Sequence, residues 1–144
     1  MRLFTIGYGQ KTAEHFFDLL MKNDVRVIAD VRLKNHSPLT GFTKYPDIQY
    51  FLRTIADIDY IHLLYLSTED DLLRRYRGGN VDWDGYEKEY LASMKERGSI
   101  EKMKRDIVDR TCLMCSEPNA SRCHRGIAAR EFAKAEEGVS IIHL

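Results

Sequence analysis

The sequence has no surplus of charge of either sign, because 22 Lys and Arg residues balance 22 Asp and Glu residues. A protein without net charge has no long-range field that would collect nucleic acid or an anionic membrane surface nonspecifically. The composition therefore argues against strong nonspecific binding to either partner. Any basic patch that binds a partner must be local.

Long apolar segments and a complete set of cysteine pairs are also missing. The first apolar run, residues 1–6, is too short for the apolar part of a signal peptide or for a membrane span. Three cysteines cannot pair completely, and a chain of 144 residues can bury a core without disulfide bonds. We expect a soluble cytoplasmic protein in a reducing compartment, with no membrane association.

Apolar runs and helical patterns alternate along the chain, with no internal repeat and no low-complexity tract. Strand-like runs lie near residues 3, 26, 61, 112 and 140, and helical segments separate them. This order predicts a three-layer α/β fold of Rossmann-like type, with a mainly parallel sheet of about five strands and helices on both faces. At this length, and with 44% hydrophobic residues, we expect a single domain over residues 1–144.

Local signals predict where some of these elements begin. Thr12 stands where a helix N-cap is expected, ahead of apolar residues at helical spacing. Residues 60–66 predict a strand, and the Ser-Thr-Glu-Asp sequence at 67–70 is typical of a capped helix start. Residues 34–46 show no periodicity, and a loop of this length is usually functional or mobile.

The residues best suited to chemistry are concentrated between positions 111 and 125. The apolar run 111–115 predicts a strand, a turn-rich loop follows, and a helical pattern opens at Cys123. Ligands of open α/β sheets bind beyond the carboxyl ends of strands, where a helix N-terminus offers free N–H groups and partial positive charge. The sequence brings Glu117, Cys123, His124 and Arg125 to this position. An ordinary solvated loop of turn formers and charges is the alternative.

Two other strand ends carry residues that suit a ligand site. Gly7-Tyr8-Gly9 follows the first strand; it lacks the third glycine of a dinucleotide fingerprint, so a tight turn explains it equally well. Asp30 and Arg32 stand two residues apart, where they could orient each other beside a ligand or form a plain surface ion pair. In the common doubly wound order the first and fourth strands are neighbours, and all three strand ends would surround one crevice.

Five short motifs span nearly the whole chain: Thr5-Ile6-Gly7-Tyr8, Ala29-Asp30-Val31-Arg32, Pro38, the pair Cys115 and Glu117, and Cys123-His124-Arg125. Together they resemble the domain of unknown function family 488 (DUF488). The resemblance implies a small cytoplasmic prokaryotic protein with a site at these residues, and it implies no reaction because the family has no settled activity. One position departs from the pattern, since Gly9 stands where such sequences often have Ser or Thr.

Our first functional hypothesis is an enzyme or binding protein for a small anionic or nucleotide-like ligand, with no cofactor. Arg32, Arg125 and the helix N-terminus would hold the anion, beside Gly7, Tyr8, Gly9 and Asp30. This hypothesis places the ligand in a cleft at the carboxyl ends of the first, second and fourth strands.

Proton transfer in such a site would fall to Glu117 or His124, and Cys123 would be a nucleophile if its pKa is lowered at the helix start. A small buried residue is an equally good interpretation of Cys123. Phosphatase chemistry is not expected, because it would need arginine six residues after Cys123, and Ala129 stands there.

Two alternatives stay open. A nucleic-acid-associated domain would use a local patch of Arg53, Arg74, Arg75, Arg77 and Tyr76. The aromatic stripe between residues 83 and 94 could add base stacking, although such a stripe more often packs on a core. A zinc site would draw on Cys112, Cys115, Cys123 and His124, but residues three apart on a strand point to opposite faces, so we expect no metal.

Overall fold

Five parallel strands form one sheet in a computed structural model that describes residues 1–144. In chain order the strands are β1 (Arg2–Gly7), β2 (Val27–Asp30), β3 (Asp59–His62), β4 (Thr111–Cys115) and β5 (Ser140–His143). Their order across the sheet is β3-β2-β4-β1-β5, and every neighbouring pair is parallel. The predicted α/β class is confirmed, and β1 and β4 are neighbours as the doubly wound order requires.

Six helices cover the two faces of this sheet. One face packs against α1 (Ala13–Lys22) and α2 (Asp47–Ala56). The other packs against α3 (Asp70–Arg77), α4 (Trp83–Glu96), α5 (Ser99–Asp106) and α6 (His124–Ala135). Short 3-10 segments occupy Pro38–Thr43, Leu64–Leu66 and Ala120–Arg122. None of the helices combines the length and the apolar character that crossing a membrane requires.

The central strand β4 is buried along its whole length. Leu113 and Cys115 contribute to the core on the α3–α6 side, whereas Cys112 and Met114 contribute to the core on the α1–α2 side. An uninterrupted apolar run is what a strand covered on both faces needs. Because side chains alternate along a strand, the thiols of Cys112 and Cys115 lie on opposite faces of the sheet, as predicted.

Several predicted helix features are confirmed. The Thr12 side chain caps α1 by accepting a hydrogen bond from the His15 backbone N–H at 3.1 Å. In α4 the side chains of Tyr86, Tyr90 and Met94 are buried. The aromatic stripe therefore packs on the core, and these rings are not exposed platforms for bases.

The strand predicted over residues 60–66 is wrong in its second half. The strand ends at His62, and a 3-10 turn over Leu64–Leu66 follows. Leu63 and Leu66 are both buried, and side chains three residues apart share one side of a 3-10 turn but not of a strand. Burial of these two leucines therefore favours the turn.

The Ser/Thr cap predicted for α3 is also wrong. The helix begins at Asp70 without a side-chain cap. The hydroxyl of Ser67 donates to the Leu64 carbonyl oxygen at 2.7 Å, and the hydroxyl of Thr68 hydrogen-bonds that of Tyr86. Contacts with the preceding turn and with α4 thus occupy both hydroxyl groups that the sequence offered as caps.

Candidate active site

The carboxyl ends of β1, β2 and β4 meet at one edge of the sheet, beside a cleft of about 350 Å³. Tyr8 follows β1, Arg32 follows β2, Glu117 follows β4, and all three residues line this cleft. Cys123 and His124, at the start of α6, line it as well. The strand order thus brings five of the predicted site residues together.

Two cysteine thiols lie in contact in the wall of this cleft. Cys115 is the last residue of β4, Cys123 directly precedes α6, and their Sγ atoms are 2.7 Å apart. Both thiols are free and buried, and both residues line the cleft. Sequence reasoning missed this partnership, because the path of the seven residues between Cys115 and Cys123 cannot be predicted from local sequence.

The orientation of His124 makes it a proton acceptor for Cys123. Its Nε2 lies 2.9 Å from the carbonyl oxygen of Val31, and a carbonyl oxygen only accepts hydrogen bonds, so Nε2 carries the proton. In the neutral ring Nδ1 then holds a lone pair, and this atom lies 3.7 Å from the Cys123 Sγ. The backbone of the segment after β2 therefore fixes the tautomer that a general base for this thiol requires.

The two thiols differ in acidity. The pKa of Cys123 is lowered to about 7, mainly because the Cys115 side chain hydrogen-bonds to it, and the positive charge of Arg125 lowers it further against the effect of burial. Burial raises the pKa of Cys115 instead. The pair therefore loses its first proton near neutral pH, with the negative charge on Cys123 and the remaining proton on Cys115.

Arg125 lies behind the two thiols and does not line the cleft. Its side chain is 1% exposed. The Nη1 group donates to the Cys115 Sγ at 2.9 Å and to the Glu117 carbonyl oxygen, and Nη2 donates to the Pro118 carbonyl oxygen at 3.3 Å. This guanidinium therefore links the 117–118 loop to the end of β4, and its predicted role in anion binding stays a prediction.

Asp30 and Arg32 form a buried ion pair, not a surface one. Arg32 Nε and Nη2 donate to the two carboxylate oxygens of Asp30 at 2.9 and 2.8 Å. Arg32 also donates to the hydroxyl and carbonyl oxygens of Thr43 at 3.1 and 2.7 Å, and its guanidinium lies 5.2 Å from the centre of the Tyr8 ring. These bonds use four of the five N–H groups of the guanidinium. The pair attaches the 3-10 segment of the 34–46 loop to the cleft.

Gly7 and Gly9 make room for protein backbone. A Cβ atom at Gly7 would lie 1.8 Å from the Glu117 carbonyl oxygen, and one at Gly9 would lie 2.5 Å from the Ser116 carbonyl oxygen. The N–H groups of Tyr8 and Gly9 donate to the Cys115 and Ser116 carbonyl oxygens at 3.1 and 2.9 Å. The glycines therefore let the loop after β4 pass across the end of β1, and a direct contact with a ligand stays a prediction.

The rim of the cleft carries three cations that sequence reasoning did not assign to it. Lys34 follows β2, Arg77 ends α3, and Arg122 lies just before α6. None of the three forms an ion pair, and the Glu117 carboxylate on the same cleft has no partner either. The three cations come from segments that are far apart in the sequence, and only the tertiary fold brings them to one cleft.

The basic stretch proposed for nucleic acid is largely neutralised within the protein. Arg74 pairs with Asp70 at 3.6 Å, and Arg75 pairs with Asp71 at 2.9 Å and with Glu89 at 2.8 Å. Tyr76 packs against the rings of Trp83 and Tyr86. Of the five residues of that patch, Tyr76 and Arg77 line the cleft.

The ligand set proposed for zinc is not assembled. Cys112 lies on the opposite face of the sheet from Cys115 and Cys123. The fold contains no group of three or more His, Cys, Asp or Glu side chains that could hold a metal ion.

The sequence matches the family model described as "Domain of unknown function DUF488" over residues 12–132. The matched region contains the motifs at residues 29–32 and 115–125, and the resemblance drawn from those motifs is confirmed. Neither a curated protein nor a solved structure matches the chain.

Proposed function

The chain belongs to the DUF488 family, and we propose that it binds a small anionic ligand in the cleft and acts on it through Cys123 and His124. Cys123 serves as the nucleophile and His124 as its proton acceptor. Because the family description assigns no activity, the support comes from the chemistry of the cleft.

The observation that carries this proposal is that Lys34, Arg77 and Arg122 line one cleft and none of them forms an ion pair. Of the two carboxylates on the same cleft, Asp70 pairs with Arg74 and only Glu117 is unpaired. The unpaired cations therefore outnumber the unpaired carboxylate, and an anionic ligand balances this excess through charge-assisted hydrogen bonds. The first N–H groups of α6 add partial positive charge at the same place, beside Cys123 and His124. The cleft therefore favours a phosphate, sulfate or carboxylate group.

The remaining lining favours a ligand with a ring as well as a charge. Tyr8 and Tyr76 line the cleft and are partly exposed, and aromatic faces stack on planar rings. The volume of about 350 Å³ lies in the range of small-molecule sites. A nucleotide-like ligand meets both requirements.

The proposed chemistry uses three side chains. His124 Nδ1 takes the proton of the Cys123 thiol, and the thiolate attacks an electrophilic centre of the bound ligand. A bond from that centre to sulfur forms, the bond from the centre to the leaving group breaks, and the leaving group departs with the electron pair and takes the proton from His124. The free carboxylate of Glu117 is available for a second proton transfer. Phosphatase chemistry is not proposed, because Ala129 stands where the required arginine would be.

We predict that the variant Arg122→Gln binds inorganic phosphate and adenosine monophosphate about ten-fold more weakly than the wild type, because a hydrogen bond to a charged group contributes about 1.5–3 kcal/mol. Calorimetry at low ionic strength measures both affinities. The matched control is Arg53→Gln, which removes an exposed arginine outside the cleft that forms no ion pair. Equal affinities in the two variants would contradict the proposed anion site.

Alkylation of Cys123 by iodoacetamide should rise with pH through about pH 7, because the reactive thiolate forms at the lowered pKa. A free thiol would reach half-maximal reactivity at about pH 8.5. Peptide mass spectrometry of the native protein measures the rate at each cysteine. Cys112 is the internal control and should stay unlabelled, since it is buried in the sheet with a raised pKa. A midpoint at Cys123 equal to that of a free thiol argues against its nucleophilic role.

A further inference from the structure

In the chemistry proposed above, the contact between Cys115 and Cys123 serves only to make the Cys123 thiol more acidic. Their Sγ atoms, 2.7 Å apart, need to approach by only about 0.7 Å to reach the length of a disulfide bond. Both residues line the cleft, and both are otherwise surrounded by protein. The sulfur pair therefore borders the cleft and is exposed only at its edge, at 2% for Cys115 and 5% for Cys123, which favours a solute as small as hydrogen peroxide.

We propose that Cys123 and Cys115 form an oxidisable dithiol that reduces hydrogen peroxide to water, with Cys123 reacting first and Cys115 closing the disulfide. This inference shares Cys123 with the proposed function but requires no anionic ligand. The dithiol can therefore be tested and rejected independently of anion binding.

In the first step His124 Nδ1 takes the thiol proton of Cys123, and the thiolate attacks one oxygen of the peroxide. A sulfur–oxygen bond forms, the oxygen–oxygen bond breaks, and the leaving hydroxide takes the proton from His124 to become water. Cys123 is then a sulfenic acid. The distance of 3.7 Å between Nδ1 and Sγ allows this transfer within one residue pair.

In the second step the Cys115 sulfur attacks the Cys123 sulfur. A sulfur–sulfur bond forms, the sulfur–oxygen bond breaks, and the leaving hydroxide takes the proton of the Cys115 thiol. Two thiols and one peroxide give one disulfide and two waters, so the thiols supply both electrons. The guanidinium of Arg125, 2.9 Å from the Cys115 sulfur, stabilises the negative charge that develops there.

The fold allows only one pairing among the three cysteines. Cys112 belongs to the core on the other side of the sheet. Cys115 and Cys123 belong to the same core cluster and are connected by a loop that also carries Glu117 and Arg122. Oxidation is thus confined to the pair in the cleft, and it removes the thiolate that the proposed function uses.

The test treats the purified, reduced protein with one equivalent of hydrogen peroxide. We expect the mass to fall by two hydrogen atoms, peptide mapping to identify a Cys115–Cys123 disulfide, and dithiothreitol to restore all three thiols. Cys112→Ser, the matched control, should behave like the wild type. Cys115→Ser should accumulate a sulfenic acid at Cys123 that dimedone traps, and Cys123→Ser should give neither product.

A wild-type protein that keeps three free thiols, or that forms a disulfide through Cys112, overturns the inference. Circular dichroism checks the fold of each variant. If Cys115→Ser does not fold, a time course on the wild type decides: dimedone must label Cys123 before the disulfide forms. If the protein binds phosphate but forms no disulfide, the dithiol is rejected and the proposed function is unaffected. If it forms the disulfide but does not bind phosphate, only the anion site is rejected.

Discussion

Replacing Asp30 with alanine is expected to lower the free energy of unfolding by about 3–5 kcal/mol, because it leaves a buried charge without its partner. Asp30 is fully buried, and the side chain of Arg32 is 6% exposed. The substitution also removes the acceptor of the hydrogen bond that the Tyr60 hydroxyl donates at 2.6 Å. Water cannot replace these contacts without opening the sheet edge.

Urea unfolding followed by circular dichroism measures this loss. Asp71→Ala is the control, because it breaks an ion pair with Arg75 whose carboxylate is 70% exposed, and such pairs contribute about 0–1 kcal/mol. Similar losses in the two variants would show that the buried Asp30–Arg32 pair stabilises the fold no more than an exposed pair does.

The variant Gly7→Ala should lose about 3 kcal/mol or more, at the upper end of the cost of inserting a methyl group into a packed core. The added Cβ would lie 1.8 Å from the Glu117 carbonyl oxygen and 2.6 Å from its carbonyl carbon. Both are backbone atoms, so no side-chain rotation can relieve the clash. The loop after β4 must shift, and Glu117 moves with it.

The variant Gly138→Ala is the control that separates the steric clash at Gly7 from the cost of placing alanine where only the backbone conformation favours glycine. Gly138 has φ +77° and no atom near its added Cβ, so alanine there costs only the left-handed conformation, about 1–2 kcal/mol. The midpoint of thermal or urea unfolding ranks the two variants. A Gly7→Ala protein as stable as Gly138→Ala would mean that the loop over β1 yields easily.

Sequence reasoning succeeded where local pattern and burial agree. The apolar run 111–115 became β4, Thr12 became the cap of α1, and α6 begins at His124 beside the predicted Cys123. The same reasoning placed the ends of β1, β2 and β4 at one edge, since parallel strands with right-handed crossovers leave few other arrangements. The general position of the candidate site follows from these facts.

The contacts within that site depend on tertiary structure and could not be read from spacing. The path of residues 116–122 brings Cys123 onto Cys115, and no local rule predicts that path. Burial of the Asp30–Arg32 pair depends on Thr43, which a segment without periodicity supplies. The hydroxyl groups of Ser67 and Thr68 do not cap α3. Ser67 bonds to Leu64 in the preceding turn, and Thr68 bonds to Tyr86 in α4, a tertiary contact that the local sequence does not predict.

The passage of the 116–118 loop across the end of β1 bears on how a ligand binds. Two backbone hydrogen bonds, from Tyr8 and Gly9 to Cys115 and Ser116, hold the start of this loop against the segment that follows β1. The floor of the cleft is therefore preorganised, and its conformational entropy is already lost when the protein folds. Binding does not need to order this segment again, which leaves more of the interaction energy for affinity.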